Sequence, residues 1–509
     1  MGQKAAILIA FIVLKWALHY TLISPVYDLQ RDEFLHLDQA NHIAWGYLSV
    51  PPLTSWNSWL IRFFGHSVFW VKFFPCLWGT LTMVVVWKTI SELKGDLFAL
   101  TLGLTGVLFS ALLRLNLLYQ PNSLDVLCWT AGYYLLIKFI NTEDRKWLYA
   151  LACVLVIGFL NKYNIVFQLL GLLPAVLLVK ERRLFFTKHT LFAGGVALLL
   201  VLPNLWWQYE HSFPVVHHMR ELSERQLSKV NRSDFLKAQV LFFVGSFFLI
   251  ITALISLSVS PHFRKFRVLG WSLLFTLSLF LYFKAKDYYA IGLYPIYVAM
   301  GAVAFSSFSR AGWKRMLRPL ALMLPLLSFI PMYRFVFPNR SPEYIVSNRE
   351  NYQALGMLRW EDGRDHALPQ DFADMLGWKE LAEKVDRAYQ SMPEKAYTLV
   401  LCDNYGQAGA INYYSKAGIR AVSFNADYLY WFDLTKSYRH LIRVKEKNGS
   451  EEEFAETSPY FEMSALTDSI ANVYAREYGT KIFRFVGAKV SINQRIEQEL
   501  EEEKQKWEK

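Results

Sequence analysis

The sequence predicts a polytopic α-helical membrane protein, with about eleven transmembrane helices, that carries a soluble α/β domain after its last helix. Three observations predict it. Up to about Phe335 the chain gathers Leu, Phe, Trp and Val into long apolar runs separated by short charged links, and runs of that length match the thickness of a bilayer. From about Pro338 polar and apolar residues alternate instead, as in a domain folded in water. The whole chain holds 54 Lys and Arg against 43 Asp and Glu, whereas residues 336–509 hold 23 against 28. All the positive excess therefore lies in the membrane part. It is scattered over links rather than concentrated on one helix or tail, which fits membrane topology and speaks against nucleic acid as a partner. The division falls near Phe337-Pro338, giving a membrane domain 1–337 and a soluble domain 338–509.

Segments long enough to cross a bilayer run at about 4–24, 67–90, 96–113, 123–140, 147–161, 163–180, 190–207, 236–260, 268–283, 288–308 and 316–335. The first follows Lys4 and lacks a small-residue cleavage site, so it reads as a retained anchor. A cytoplasmic N-terminus places Lys180-Glu-Arg-Arg183, Arg264-Lys-Phe-Arg267 and the link Arg310 to Arg318 on the cytoplasmic side, as the positive-inside rule asks. The links 25–66, 114–122 and 208–235 then lie outside, and an odd number of crossings exports the C-terminal domain. One helix more or fewer around Asn161-Lys162-Tyr163-Asn164 would reverse everything after it. Cys76, Cys128 and Cys153 fall in apolar runs and Cys402 alone in the soluble part, so no disulfide forms within that domain and cysteine usage leaves the compartment open.

Residues 25–66 form neither a simple loop nor a span. Aromatic and apolar residues interleave with charge, which suggests short helices on the membrane surface, interrupted at Pro51-Pro52. This link contains the densest titratable cluster near the membrane: Asp28, Arg31, Asp32, Glu33, His36, Asp38 and His42. Neighbouring residues on a helix point about 100° apart, so Asp32 and Glu33 address one site only at a helix end or beside a cavity. An Asp-Glu pair in a first turn also serves simply to stabilise the positive end of the helix dipole.

The stretch from Asp32-Glu33 through His42 to Gly46-Tyr47, followed by Pro51-Pro52-Leu53, resembles the first external loop of bacterial membrane glycosyltransferases related to protein O-mannosyltransferases. The lipid A aminoarabinose transferases are more distant relatives in the same C-type superfamily. Three later segments resemble that superfamily in the expected order: Gln120-Pro-Asn-Ser-Leu-Asp125, Asn161-Lys162-Tyr163, and Lys284-Ala-Lys286-Asp-Tyr288-Tyr289 with Tyr294-Pro295 after it. Under the topology above all three share the side of Asp32, although the orientation came only from Lys and Arg. Each also has a plainer reading: Asp125 as a helix N-terminal residue, the lysines as snorkelling interfacial residues, and Tyr288 and Tyr289 as part of an aromatic belt.

The resemblance implies the C-type glycosyltransferase fold and a polyprenyl-phosphate-sugar donor. The acceptor is an envelope glycolipid such as lipid A, another glycan or a protein, modified outside a bacterial inner membrane. Asp32 and Glu33 are then the catalytic carboxylates, with Asp32 as base and Glu33 holding sugar or loop. Asp125 and His42 are expected at the donor sugar, and Lys162, Lys284, Lys286, Tyr288 and Tyr289 at the phosphate. Transfer needs a base for the acceptor proton and positive charge for the departing phosphate. No cofactor is required and a divalent cation is optional; no metal site is expected, since His217-His218 is a lone adjacent pair. Direct attack would invert the anomeric centre. A polytopic transporter or lipid flippase is the alternative, though neither internal repeats nor midplane charges stand out. A non-catalytic scaffold is a third reading.

In the soluble domain a helix is expected over 380–390, strands over 397–402 and 420–424, a helix over 407–416, and strands near 439–445 and 481–486. The turn Asn404-Tyr405-Gly406-Gln407-Ala408-Gly409 follows a strand and opens a helix, so it either presents amides to an anion or merely turns the chain. Acceptor recognition is one expected role for this domain, with deletion of 338–509 sparing donor binding. The Glu- and Lys-rich tail from Gln494 reads as an exposed helix or frayed end.

Overall fold

A computed structural model describes residues 2–225 and 227–508; Gln226, in the middle of the link 208–235, lies outside the described residues. The membrane part contains α1 (Gln3–Thr21), α2 (Arg31–Asp38), α3 (Leu53–Phe63), α4 (Val68–Glu92), α5 (Leu97–Leu108), α6 (Ala111–Leu115), α7 (Asn122–Thr142) and α8 (Lys146–Asn161). It continues with α9 (Ile165–Leu177), α10 (Lys188–Glu210), α11 (Pro214–Arg225), α12 (Arg232–Leu241), α13 (Phe247–Val259), α14 (Arg267–Tyr282), α15 (Tyr294–Phe308) and α16 (Leu317–Phe335). Among the described residues seven helices are long and apolar enough to cross a membrane, and α5, α8, α9 and α13 are shorter apolar helices. Every apolar segment of the sequence is thus helical, but two are broken. The segment 96–113 stops at Phe109 and restarts as α6 with Ser110 as its N-cap, and 236–260 is divided between α12 and α13.

The two ends of the bundle differ. At one end Lys138 pairs with Glu92 (2.8 Å) and Arg318 with Asp96 (3.8 Å), while Lys4 reaches the Gly95 carbonyl (3.2 Å). The basic residues of the links gather there. The other end receives the link 25–66. Its α3 turns Thr54, Ser55, Ser58 and Ile61 inward and leaves Trp59 and Phe63 exposed, the arrangement of a helix lying on a lipid surface.

The C-terminal part begins with α17 (Pro342–Ser347), α18 (Arg349–Ala354), α19 (Gln370–Ala373) and α20 (Trp378–Gln390). It then builds a five-stranded sheet in the order β2-β1-β3-β5-β4 from β1 (Thr398–Cys402), β2 (Ala421–Ser423), β3 (His440–Lys445), β4 (Phe461–Ser469) and β5 (Lys481–Ala488). The helix α21 (Tyr405–Tyr414) connects β1 to its parallel neighbour β2. β1 and β3 are also parallel, whereas β5 runs antiparallel to both β3 and β4. β4 was not expected, because its residues are mostly half-buried or exposed and lack an apolar period. The C-terminal tail forms α23 (Ile492–Glu508), after α22 (Ser450–Thr457). Far from fraying, α23 places Ile492, Ile496 and Leu500 in the core on one face of the sheet, beside Phe483 and Phe485, a spacing of four that keeps all three on one side of a helix.

The division near 337 does not divide the packing. One buried cluster joins Leu29, Phe34, Leu35 and Leu37 of the link and Val71 and Phe74 of α4 to Trp378, Leu381, Val400 and Ile411 of the C-terminal part. The C-terminal domain therefore sits on the link 25–66 through a continuous apolar core. Its removal would expose α2 on that side, so deletion of 338–509 is not a local change.

Candidate functional site

The site is built around α2. Gln30 caps the helix: its side chain accepts from the Asp32 amide (2.9 Å), and Glu33 Oε2 accepts from the Gln30 amide (2.7 Å), a reciprocal capping box. The approach to α2 is stitched to the C-terminal domain, with the Asp28 amide donating to the Met375 carbonyl (2.7 Å) and the Arg31 amide to the Asp374 carbonyl (3.1 Å).

Asp32 and Glu33 have different surroundings. Glu33 is fully buried and accepts from Lys72 Nζ at 2.6 and 2.9 Å, from the Tyr119 amide at 2.6 Å and from the Gln30 amide. Its charge ties α2 to α4 and to the chain entering α7. Asp32 is only partly buried. Tyr405 Oη donates to its Oδ1 (2.7 Å) and Gln120 Nε2 to its Oδ2 (3.2 Å). The Arg31 guanidinium lies over the Tyr405 ring, 4.4 Å from its centroid. Tyr405 can come this close because α21 packs on α2 through glycine: a Cβ at Gly406 would stand 2.6 Å from Arg31 Cγ, and one at Gly409 2.8 Å from Phe34 Cβ.

Asp125 lies in the first turn of α7, where Trp129 Nε1 donates to one oxygen (3.0 Å) and Asn164 Nδ2 to the other (2.9 Å). Asn164 also donates to the Tyr289 carbonyl (2.9 Å), knitting α7, the turn between α8 and α9, and the segment before α15 together. Lys162 in that turn donates to Asn122 Oδ1 (2.7 Å) and stands over the Tyr289 and Tyr288 rings at 4.4 and 5.1 Å. Burial pulls its ammonium down to about 8, opposed by Asp125 and reinforced by Lys286. Asp32 lies within electrostatic reach of Tyr288, and both Asp32 and Lys162 within reach of His36, whose pKa burial lowers. Lys286 forms an ion pair with Glu361 of the C-terminal domain (3.2 Å).

Asp32, Asp125, Lys162, Lys286, Tyr288 and Tyr289 are thus brought to one end of the bundle. Two expected residues are engaged with other partners. His42 stacks its ring on Trp431 at 4.2 Å, within reach of Asp38 and Arg420. Lys284 adopts positive φ (50°) and donates to the Ser228 carbonyl (3.3 Å). The Asn404 turn does not offer a free anion cradle, since Asn404 Oδ1 accepts from the Gln407 amide (3.0 Å); what it contributes is the Tyr405 hydroxyl. Tyr405, Gln120, Lys72 and Arg31 were given no role in the sequence. Lys72 had a signal, a charge inside an apolar span. The pairing of Tyr405 with Asp32, across 373 residues, had none. Among the described residues no three His, Cys, Asp or Glu side chains gather as a metal cluster.

Fold and arrangement define a class: a multi-pass helical membrane protein that carries an α/β domain on one end of its bundle. Residues 49–207 match the family model described as dolichyl-phosphate-mannose-protein mannosyltransferase. A curated relative, the lipid A galacturonosyltransferase RgtD of Rhizobium johnstonii, is 28% identical over 201 residues, a match spanning 37% of this chain and 41% of the relative. ArnT from Cupriavidus metallidurans, solved with undecaprenyl phosphate, shares the fold over 97% of this chain and 99% of its own, with a TM-score of 0.61 at 12% identity. The oligosaccharyltransferase AglB from Archaeoglobus fulgidus, solved with an inhibitory peptide and a dolichol-phosphate, aligns over 87% of this chain and 70% of its own (TM-score 0.51, 10% identity).

Proposed function

We propose that the chain is a membrane glycosyltransferase that moves a sugar from a polyprenyl-phosphate donor to an acceptor hydroxyl or phosphate on the outer face of a bacterial inner membrane, inverting the anomeric carbon. The observation that carries this reading is the group of Asp32, Lys162, Lys286, Tyr288 and Tyr289 at one end of the bundle, above an apolar groove. The groove, of about 1170 Å³, is lined almost wholly by apolar side chains of α7 to α10. Two of its walls, α8 and α9, are joined by the turn that carries Lys162, beyond the groove residue Phe159, and in this reading a lipid chain lying there directs its phosphate towards that lysine. The lipid phosphates in the solved structures of ArnT and AglB, and the lipid A named for RgtD, support the donor and acceptor classes. The basic links at the far end support an external site.

In this reading Asp32, held by Tyr405 and Gln120, takes the proton of the acceptor hydroxyl. The acceptor oxygen bonds to the anomeric carbon as the bond to the phosphate oxygen breaks. Lys162, standing over the Tyr288 and Tyr289 rings, and Lys286 meet the charge left on the lipid phosphate. These lysines supply the positive charge, so turnover should survive EDTA. Glu33 holds the loop, Asp125 orients Asn164 and the turn carrying Lys162, and His42 and Lys284 have no duty at the reacting carbon.

Two measurements test the reading. Lys162→Ala and Lys286→Ala, in nanodiscs, should each weaken undecaprenyl phosphate binding by about tenfold, the worth of one charge-assisted hydrogen bond; unchanged affinity in both would remove the lysines from the donor. Mass spectrometry of envelope glycolipids and glycans from a deletion strain should show one sugar missing, and an unaltered profile would count against transfer altogether.

A further inference from the structure

Next to the candidate site the C-terminal domain encloses a second cavity, a cleft of about 380 Å³, within the size range of small-molecule sites. Its walls combine aromatic rings with polar groups. The Trp360 ring stacks on His366 with centroids 3.8 Å apart, Arg476 approaches it to 5.8 Å, and Tyr478 stands 44% exposed. Four carboxylates line the cleft, Glu361, Asp362, Glu446 and Glu477, against the two cations Lys447 and Arg476.

Three of those carboxylates are shared with the site already described, Glu446 through the Asn404 side chain, which donates to it at 2.9 Å. Glu361 is the ion-pair partner of Lys286. Glu477 is buried, and its oxygens accept from Asn404 Nδ2 (3.2 Å) and Gln407 Nε2 (2.6 Å). Those residues form the turn from which Tyr405 reaches Asp32. The cleft is therefore joined to the phosphate side of the site through one wall and to the base side through another. An acceptor seated there would be separated from Lys286 by Glu361 and from the Asn404 turn by Glu477.

The lining also selects the acceptor's chemistry. A surplus of carboxylates repels phosphate, whereas hydroxyl groups donate to carboxylates and accept from Arg, Lys and amides, and the exposed Tyr478 ring offers apolar surface to the face of a sugar. We propose that this cleft binds the sugar headgroup of the acceptor, and that transfer goes to a glycan hydroxyl in preference to a phosphate or a protein side chain. The proposal rests on the donor reading above and adds a site to it.

The test uses the full chain in nanodiscs and, as probe, the glycan released by mild acid from envelope glycolipids of the deletion strain, with and without phosphatase treatment. Saturation-transfer NMR should show contacts to sugar ring protons in both preparations. Tyr478→Ala and Glu446→Gln should each weaken this binding by about tenfold, with undecaprenyl phosphate affinity and thermal unfolding unchanged. Equal glycan binding by both variants overturns the cleft assignment, as does binding lost after phosphatase treatment. A wild-type chain that binds undecaprenyl phosphate but no glycan also overturns it, leaving the donor reading intact. Binding of neither ligand sinks the donor reading and the cleft proposal together.

Discussion

The two sides of α2 carry neighbouring carboxylates under opposite conditions. On the membrane side Glu33 is enclosed and receives a lysine and two backbone amides. On the domain side Asp32 keeps partial exposure and two side-chain donors, one of them at 3.2 Å. A carboxylate with its acceptor positions filled braces the structure, whereas one with capacity left can take a proton. Adjacent acidic residues in a sequence therefore need not share a duty.

Five variants sharpen or break that contrast. The largest effect is expected from Asp32→Asn, which should lower transfer by about 10²- to 10⁴-fold while the thermal midpoint in detergent stays put; near-normal turnover would end the assignment. Glu33→Gln should instead destabilise the fold by about 3–5 kcal/mol, the usual result of removing one member of a buried ion pair. The double change Glu33→Leu with Lys72→Met should not recover that loss, because the Gln30 and Tyr119 amides would still lack their acceptor. Full recovery would show that the ion pair alone matters.

A smaller effect belongs to Tyr405→Phe, which removes one hydrogen bond to Asp32. It should reduce kcat by about tenfold with KM for the donor unchanged, so an equal change in KM would mark Tyr405 as a binding residue. The smallest concerns Asp427, whose oxygens accept from the Leu48 amide (2.6 Å) and Gln39 (2.8 Å) and whose pKa burial raises to about 6. A carboxyl raised on folding stabilises the folded state below its unfolded pKa, near 4, and that contribution is lost as pH rises through about 6. Thermal unfolding of Asp427→Asn should lack this decline between pH 4 and 6, and an identical pH dependence in both proteins would contradict it.

The apolar runs revealed the helices because membrane burial demands uninterrupted length. Asp125, Lys162 and the Lys286 to Tyr289 segment stood out because each sits where an apolar run begins or ends, and Asp32 because it lies in the charged cluster of the link 25–66. Direction was not legible. That Lys284 turns towards Ser228 depends on a positive φ at that residue, and that His42 stacks on Trp431 depends on a domain nearly 400 residues away, as sequence separations of this interface show. β4 escaped because a strand at a sheet edge, half-exposed along its length, needs no apolar period.

The apolar core shared by α2 and the C-terminal domain has a consequence for the newborn chain. Phe34 and its neighbours leave the ribosome long before Trp378 and Ile411, which cover them. At about 5–20 residues per second, the 373 residues between Asp32 and Tyr405 take roughly 20 to 75 seconds to make. Throughout that interval Asp32 lacks its tyrosine and α2 lacks the domain that covers it. A prematurely ended chain would leave the apolar face of α2 uncovered.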